Sequence, residues 1–181
     1  MSDSLRRRLR ALPDFPADLP PFDPATAPAD PVVLFLDWLE HALAAGVLQP
    51  HAFSLATAGA DARVSSRMLI LKNIEPVIEA GDADFGAWQF ASSRGSRKGR
   101  ELAANLHAAM NFYWPSLGRQ VRVVGAVSLL SAEASALDWA ERPGADERAN
   151  PEWQLYALHP TELEFWQASP DRRHIRHRYE L

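Results

Sequence analysis

The feature of this sequence that most constrains its fold is a series of short apolar segments, separated by turn residues, that begins after Pro50. The segments alternate apolar with polar positions and are rich in β-branched and aromatic residues, a pattern typical of β-strands. Locally joined strands predict a mainly β fold with added helices (α+β), an antiparallel barrel of roughly six to eight strands rather than a parallel sheet. The predicted strands are 51–58, 64–72, 85–93, 107–115, 119–130, 153–158, 162–167 and 174–179.

Three helices are predicted beside the strands. Asp30, followed by a proline, is a helix start, because its carboxylate can accept from the first free N–H groups and proline has a helical φ. This helix covers 31–46 and has Phe35, Leu39 and Leu43 on one face, which we expect to pack on the sheet. The other two predicted helices are 97–105 and 131–142.

The N-terminal region is rich in proline. Residues 13–31 contain seven of the 14 prolines of the chain. Because proline lacks a backbone donor, this segment is neither a helix nor an inner strand. We expect residues 1–29 to form an arm lying over the surface or over a partner subunit, and residues 30–181 to form a single domain. A length of 181 residues suits one domain with a substantial core.

The composition excludes several classes of function. A formal net charge of -4 argues against generic nucleic-acid binding, which needs a basic surface. The absence of cysteine excludes disulfides, thiolate metal sites and cysteine nucleophiles. No apolar run has the length of a membrane span or of a secretory signal, so we expect a cytoplasmic protein that does not bind a membrane. From the charge and the lack of cysteine, we expect neither nucleic-acid binding nor a metal.

Basic residues concentrate in the stretch 92–105. Arg97, Lys98 and Arg100 crowd into the first turn of the predicted helix, where unpaired backbone N–H groups already carry partial positive charge. A bound anion such as a phosphate would remove this conflict. The alternative is that the three side chains simply point outward into water.

A second basic segment favours the phosphate. The strand 64–72 carries Arg67 and Lys72 within a run of apolar residues. Charges in such a run mark a site more often than a solvated face.

Five blocks, in order, resemble the pyridoxamine 5′-phosphate oxidase family: SSRMLILK, SRKGRELAAN, RQVRVVG, EFWQ and DRRHIRHRY. Five ordered blocks are much more specific than one short motif. The similarity, from about Asp30 to the C-terminus, implies a split β-barrel that forms a homodimer and binds FMN at the subunit interface. It also implies a substrate, pyridoxine or pyridoxamine 5′-phosphate, that gives a hydride to the flavin, which then passes electrons to dioxygen.

The resemblance also assigns site residues. FMN needs cations and amides around its phosphate, and apolar walls with a few donors around its ring. The implied FMN positions are Arg67, Met68, Leu69, Ile70, Leu71, Lys72, Ser92, Ser96, Arg97, Lys98, Gln120, Trp166 and Arg176. The implied substrate positions are Lys72, Arg142, Arg172 and His174, with Arg172 and His174 as the catalytic pair.

Three of these residues have simpler interpretations. Gln120 also suits an exposed strand position, Trp166 a core aromatic and Arg176 a surface charge. Because all three residues fall in register with the other blocks of the family pattern, we favour a role in flavin binding.

The substrate positions depart from the family pattern. Asp138 stands where the family has a tyrosine and Asp146 where it has a serine, four residues either side of Arg142. Two carboxylates would repel a phosphate dianion unless they turn away. Ala91 replaces a further tyrosine on the flavin side, and the segment after Arg142 is shorter than in the family. We therefore expect the flavin half of the site to be better preserved than the substrate half.

These observations leave several functional hypotheses. The first is an FMN-dependent oxidase acting on pyridoxamine or pyridoxine 5′-phosphate. The second is an FMN-binding oxidoreductase of the same fold with a different small-molecule substrate, and the third is a flavin-binding protein without turnover. Nucleic-acid binding, the fourth, would require the basic stretches to form one continuous face.

Overall fold

The computed structural model describes residues 4–76, 85–144 and 148–180. The α-helices found there are α1 (Leu5–Arg10), α2 (Pro31–Ala44), α3 (Arg97–Ala104) and α4 (Ala132–Ala140). The strands are β1 (Ala52–Ala58), β2 (Val64–Ile70), β3 (Asn73–Glu75), β4 (Ala87–Ser93), β5 (His107–Trp114), β6 (Arg119–Leu129), β7 (Trp153–Gln167) and β8 (Ile175–Glu180).

These strands form one antiparallel sheet. Its order is β2-β1-β5-β6-β7-β4-β3, and β8 also pairs with β7. Strand β7 is long enough to pair with β4 through its first half, with β8 through its second half, and with β6 along most of its length. The sheet curls into a half-open barrel, and helices pack against it. The predicted mainly β, antiparallel barrel architecture is therefore confirmed.

Aromatic rings fill the barrel. The ring of Phe35, from α2, lies 4.5 Å from that of Trp88 and 5.0 Å from that of Phe112. All three side chains are fully buried, and each buries enough apolar surface to contribute about 2–3 kcal/mol. Helix α2 is thereby fixed against the inner face of the sheet.

The start of α2 is as predicted, but its buried face is not. The Asp30 carboxylate accepts from the Val32 N–H at 2.7 Å. Leu43, predicted to be buried, is 52% exposed. Steps of four residues advance by about 40° around a helix, so a line that starts at Phe35 has left the buried side by Leu43. The buried face consists of Leu34, Phe35, Trp38 and Ala42.

Two differences from the predicted strands are larger than a shift of one or two residues at a strand end. The two predicted strands 153–158 and 162–167 are one continuous strand, β7. Its register against β6 shifts between Val124 and Gly125. A Cβ at Gly125 would overlap the His159 carbonyl oxygen, so glycine allows the two backbones to approach and β7 to continue. The short strand β3 was not predicted.

The proline-rich segment lies on the barrel. The ring of Phe22 packs edge-on to Trp38 at 5.1 Å, and the Tyr179 hydroxyl donates to the Pro28 carbonyl at 2.7 Å. In the described part of the chain, no helix has the length and apolar character needed to cross a membrane.

Candidate active site

The turn into α3 is built for close packing. The Ser96 hydroxyl accepts from the Gly99 N–H at 3.2 Å and so caps the helix. A Cβ at Gly99 would overlap the Arg94 carbonyl oxygen, which explains a glycine inside this helix. The Ser92 and Ser96 hydroxyls lie 3.3 Å apart, and the Lys98 ammonium donates to Ser96 at 3.3 Å. Predicted site residues from β4 and α3 are therefore brought together.

A buried carboxylate, Glu101, holds the neighbouring arginines. It accepts from the Thr57 hydroxyl at 2.6 Å, the Ser65 hydroxyl at 2.7 Å, Arg97 Nε at 2.8 Å and Arg67 at 3.2 Å. The hydrogen bonds from Thr57 and then Ser65 are the main reasons that the pKa of Glu101 falls to about 2, against the opposing effect of burial. Glu101 is ionised at neutral pH and fixes both guanidinium groups.

Sequence reasoning missed Glu101. The four-residue spacing between Arg97 and Glu101 is a helical ion-pair signal that was available. The bonds from Thr57 and Ser65 join positions 44 and 36 residues away, and no local pattern indicates them.

We call Arg67, Arg97, Lys98 and Glu101 the basic cluster. It contains three cations and one carboxylate, which gives a net charge of about +2. Burial, followed by the charge of Arg67, lowers the pKa of Lys98. After Arg67 and Arg97 pair with Glu101, the three cations still outnumber the one carboxylate, so the cluster is electropositive.

The rest of β2 and the residue after it, Leu71, present two different sides. Leu69 and Leu71 pack against the hydrophobic core, whereas Met68 is 64% and Ile70 42% exposed. A ligand lying on β2 would therefore meet the side chains of Met68 and Ile70, and only the backbone of the two leucines.

A second group of predicted flavin residues forms a row across three strands. Gln120 on β6 is the register partner of Trp166 on β7, which is in turn the partner of Arg176 on β8. We call these three residues the β6–β8 row. Trp166 is half-buried rather than a core aromatic, and Arg176 is exposed. Strands β1 and β5 lie between this row and β2, so one chain does not bring the row next to Arg67.

The predicted catalytic pair lies beside the row. The His174 ring is 4.8 Å from that of Trp166, and its Nδ1 accepts from the Ser169 N–H at 3.1 Å. Arg172 has a left-handed backbone (φ 63°) and forms an ion pair with Asp14 of the N-terminal arm at 2.8 Å.

The arm also covers this region. The ring of Phe15 lies 5.7 Å from Trp166 and 6.2 Å from His174. Together these elements enclose a cavity of about 350 Å³, lined by Asp14, Phe15, Pro16, Ala17, Ser169, Pro170, Arg172 and His174.

The predicted substrate residues Lys72 and Arg142 are both engaged by the protein. The Lys72 ammonium lies 3.2 Å from the carboxylate of Asp138, and the Trp153 indole donates to the same carboxylate at 2.7 Å. The Arg142 guanidinium lies 4.5 Å over the Trp139 ring and 4.4 Å over the Trp153 ring. Asp146 lies outside the described residues.

Lys72 and Asp138 line an open surface depression of about 690 Å³, which we call the groove. It is lined by Lys72, Asn73, Glu75, Gln89, Leu130, Ser131, Ala134, Leu137, Asp138, Glu141 and Leu155. Leu155 lies at one end of β7 and Trp166 at the other, roughly 36 Å apart along the strand. The groove and the pair Arg172–His174 therefore belong to two separate half-sites within one chain.

Comparison with known proteins identifies the family. A profile described as Pyridoxamine 5'-phosphate oxidase matches residues 39–167. A pyridoxine/pyridoxamine 5'-phosphate oxidase of Burkholderia vietnamiensis is 37% identical over 187 residues, covering 85% of this chain and 83% of that protein. One of Chromobacterium violaceum is 35% identical over 185 residues, covering 84% and 83%.

Solved structures show the same relationship. PhzG from Burkholderia lata 383, in complex with tetrahydrophenazine-1-carboxylic acid, superposes with a TM-score of 0.78 at 30% identity, covering 91% of this chain and 93% of that one. A pyridoxamine 5'-phosphate oxidase-related, FMN binding protein from Nostoc punctiforme, with a TM-score of 0.59, 14% identity and coverage of 86% and 100%, shares the split-barrel fold. The chain thus belongs to the pyridoxamine 5′-phosphate oxidase family.

Proposed function

We propose that this chain is an FMN-dependent oxidoreductase that oxidises a small molecule, with dioxygen as the acceptor. The observation that carries this proposal is the basic cluster, whose net charge of about +2 matches a phosphate dianion. Arg67 and Arg97 are already oriented by Glu101, so little side-chain ordering remains for binding. The hydroxyls of Ser92 and Ser96 add uncharged donors beside them.

The remaining FMN contacts belong to the β6–β8 row and the outer side of β2. Gln120 and Arg176 offer donors to ring carbonyls, and Trp166 offers an apolar wall. When bound, the isoalloxazine ring would supply the hydride acceptor.

The residues Arg172 and His174 suit the reacting end of a substrate. Because His174 Nδ1 accepts the Ser169 N–H, the neutral ring carries its proton on Nε2, which is free to donate. A guanidinium at Arg172 can hold an oxygen substituent of the substrate. These two side chains favour an enzyme over the alternative of a flavin-binding protein without turnover.

We further propose a homodimer with FMN at the interface. The basic cluster and the β6–β8 row lie apart in one chain, so a second copy would have to supply the missing half of each site. The outer face of β2 and β5 is apolar, with Val64, Met68 and Tyr113 at least half exposed. On this face, Asn111 Oδ1 is one of two buried side-chain atoms of the described residues without a hydrogen-bond partner. A donor from a second copy would satisfy it.

Two substrate classes remain within this chemistry. Pyridoxamine or pyridoxine 5′-phosphate is indicated by the names of the relatives. A substrate without a phosphate is favoured by the ion pair between Lys72 and Asp138. The ligand named for PhzG, a carboxylic acid, illustrates that a related protein binds something other than a B6 phosphate.

Reconstitution with FMN tests the proposal. The purified chain should bind FMN and turn yellow, and Arg97→Ala should weaken FMN binding at least roughly 10-fold, because a charge-assisted contact is lost. Arg100→Ala is the matched control: Arg100 shares the same helical turn but donates to the Gly95 carbonyl, and its loss should change binding less than about 3-fold. A chain that stays colourless with excess FMN contradicts the proposal.

The role of His174 needs a separate readout. His174→Ala should leave FMN binding intact and reduce peroxide formation from an active substrate. Equal, small effects of Arg97→Ala on FMN binding and of His174→Ala on peroxide formation would contradict both assignments.

A further inference from the structure

We propose that Asp138 makes the groove reject phosphate, so that the end of the substrate bound there is non-anionic. This inference rests on the proposed function, because it concerns the substrate of that same site. It adds a specificity-determining residue and a substrate class to the proposed oxidoreductase.

Both carboxylate oxygens of Asp138 are held in place. Oδ1 lies 3.2 Å from the Lys72 ammonium, and Oδ2 accepts from the Trp153 indole at 2.7 Å. Only 14% of the Asp138 side chain and 22% of the Lys72 side chain are exposed. To turn away from a ligand, Asp138 would have to break both contacts. The carboxylate is therefore a fixed part of the groove wall.

Lys72 is consequently not available as an unpaired cation. A phosphate that reached for its ammonium would come within a few ångströms of the Asp138 carboxylate, and like charges at that distance in a partly buried site repel strongly. Release of Lys72 to the phosphate would leave Asp138 with only the indole N–H. Either arrangement disfavours a dianion.

Arg142 does not replace the lost charge. Its guanidinium lies over the rings of Trp139 and Trp153, at 4.5 and 4.4 Å, and it is not among the residues that line the groove. Moving it into the groove would forfeit both cation–π contacts.

The remaining charges of the groove have the same sign as Asp138. Among the described residues, its wall contains the carboxylates of Glu75 and Glu141 in addition to Asp138, against one ammonium, that of Lys72. The net charge is about -2, which repels a phosphate and tolerates a neutral or positively charged group.

A pair of ligands that differ only in the phosphate tests this inference. Equilibrium dialysis of the FMN-treated protein should give pyridoxine 5′-phosphate an affinity no higher than that of pyridoxine. Asp138→Asn keeps an acceptor for the Trp153 indole and removes the charge, so it should shift this affinity ratio at least roughly 10-fold toward the phosphorylated ligand. Asp138→Ser repeats the charge removal with another side chain, in case one variant folds poorly.

Glu133→Gln is the matched control. Glu133 is an exposed carboxylate on the same helix, α4, outside the groove, and its loss should change the ratio less than about 3-fold. Tighter binding of the phosphorylated ligand by the unmodified chain would overturn the inference, as would an unchanged ratio in both Asp138 variants. Dialysis needs no flavin signal, so the ratio decides this inference separately from FMN content, which decides the proposed function.

Discussion

The basic cluster and the groove use similar ingredients with opposite results. Each contains predicted anion-binding cations, and each pairs them with a carboxylate: Glu101 in the cluster and Asp138 in the groove. Glu101 is one carboxylate among three cations, so the cluster has a net charge of about +2. The described wall of the groove has three carboxylates and one ammonium, that of Lys72, and a net charge of about -2. A basic residue in a sequence therefore predicts an anion site only after its internal partners are counted.

The largest effect is expected at Glu101. Glu101→Ala should lower the free energy of unfolding by about 3 kcal/mol, because it leaves Arg67 partly buried without its carboxylate and removes the acceptor of Thr57. Urea denaturation measures the loss. Glu40→Ala, at an exposed side chain of α2, is the control and should cost less than about 0.5 kcal/mol. A loss below about 1 kcal/mol at Glu101 would mean that the cluster is not held by this carboxylate.

The same carboxylate makes stability depend on pH. The pKa of Glu101 is lowered from 4.5 to about 2, so its contribution is complete above pH 4.5 and is lost as the pH falls toward 2. The difference in unfolding free energy between the unmodified chain and Glu101→Gln should shrink across this window. A difference that stays constant between pH 6 and pH 3 would refute the assignment.

The positive charge of the cluster predicts selection between two flavins. FMN should bind at least roughly 100-fold more tightly than riboflavin, which lacks the phosphate. Two charge-assisted hydrogen bonds to the phosphate raise the affinity by at least about this factor. Fluorescence quenching of each flavin measures the ratio, and Lys98→Ala should reduce it. Affinities within about 3-fold of each other would show that the net charge of about +2 is not used for a phosphate.

The fold was largely predictable because its hairpins are local. The strand pairs β1–β2 and β5–β6 each follow from alternation on both sides of a short turn, and Gly118 has the left-handed φ of 57° that its turn requires. The continuity of β7 was not predictable, since it depends on the close approach of Gly125 on β6 to His159 on β7. The exposure of Leu43 was likewise decided by which side of α2 meets the sheet.

The sequence predicted which side chains meet at the turn into α3, but not which ionic side chains pair with one another. The sequence brought Ser92, Ser96 and Lys98 into one group, because a strand end and a helix start are neighbours in the chain. The ion pair between Lys72 and Asp138 joins positions far apart in the chain, so only the folded structure reveals it. Trp139 is only three residues from Arg142 in the chain, but the second ring over the guanidinium, that of Trp153, comes from β7.

The smallest effect on stability is expected at Arg142. It sharpens the contrast between the basic cluster and the groove. If Arg142 serves to pack Trp139 against Trp153, Arg142→Ala should lower the free energy of unfolding by about 1 kcal/mol, the value of cation–π contacts at a partly exposed site. Arg142→Lys should recover part of this loss, because an ammonium also binds an aromatic face. Arg173→Ala, at a side chain 90% exposed, is the control and should have almost no effect.

The same variants separate packing from ligand binding. A packing role predicts that the affinities for pyridoxine and pyridoxine 5′-phosphate change together in Arg142→Ala. A selective loss of about 10-fold for the phosphorylated ligand would make Arg142 an anion clamp despite its position over the rings. Because the guanidinium already has two aromatic partners and the groove beside it is acidic, we expect the two affinities to stay in proportion.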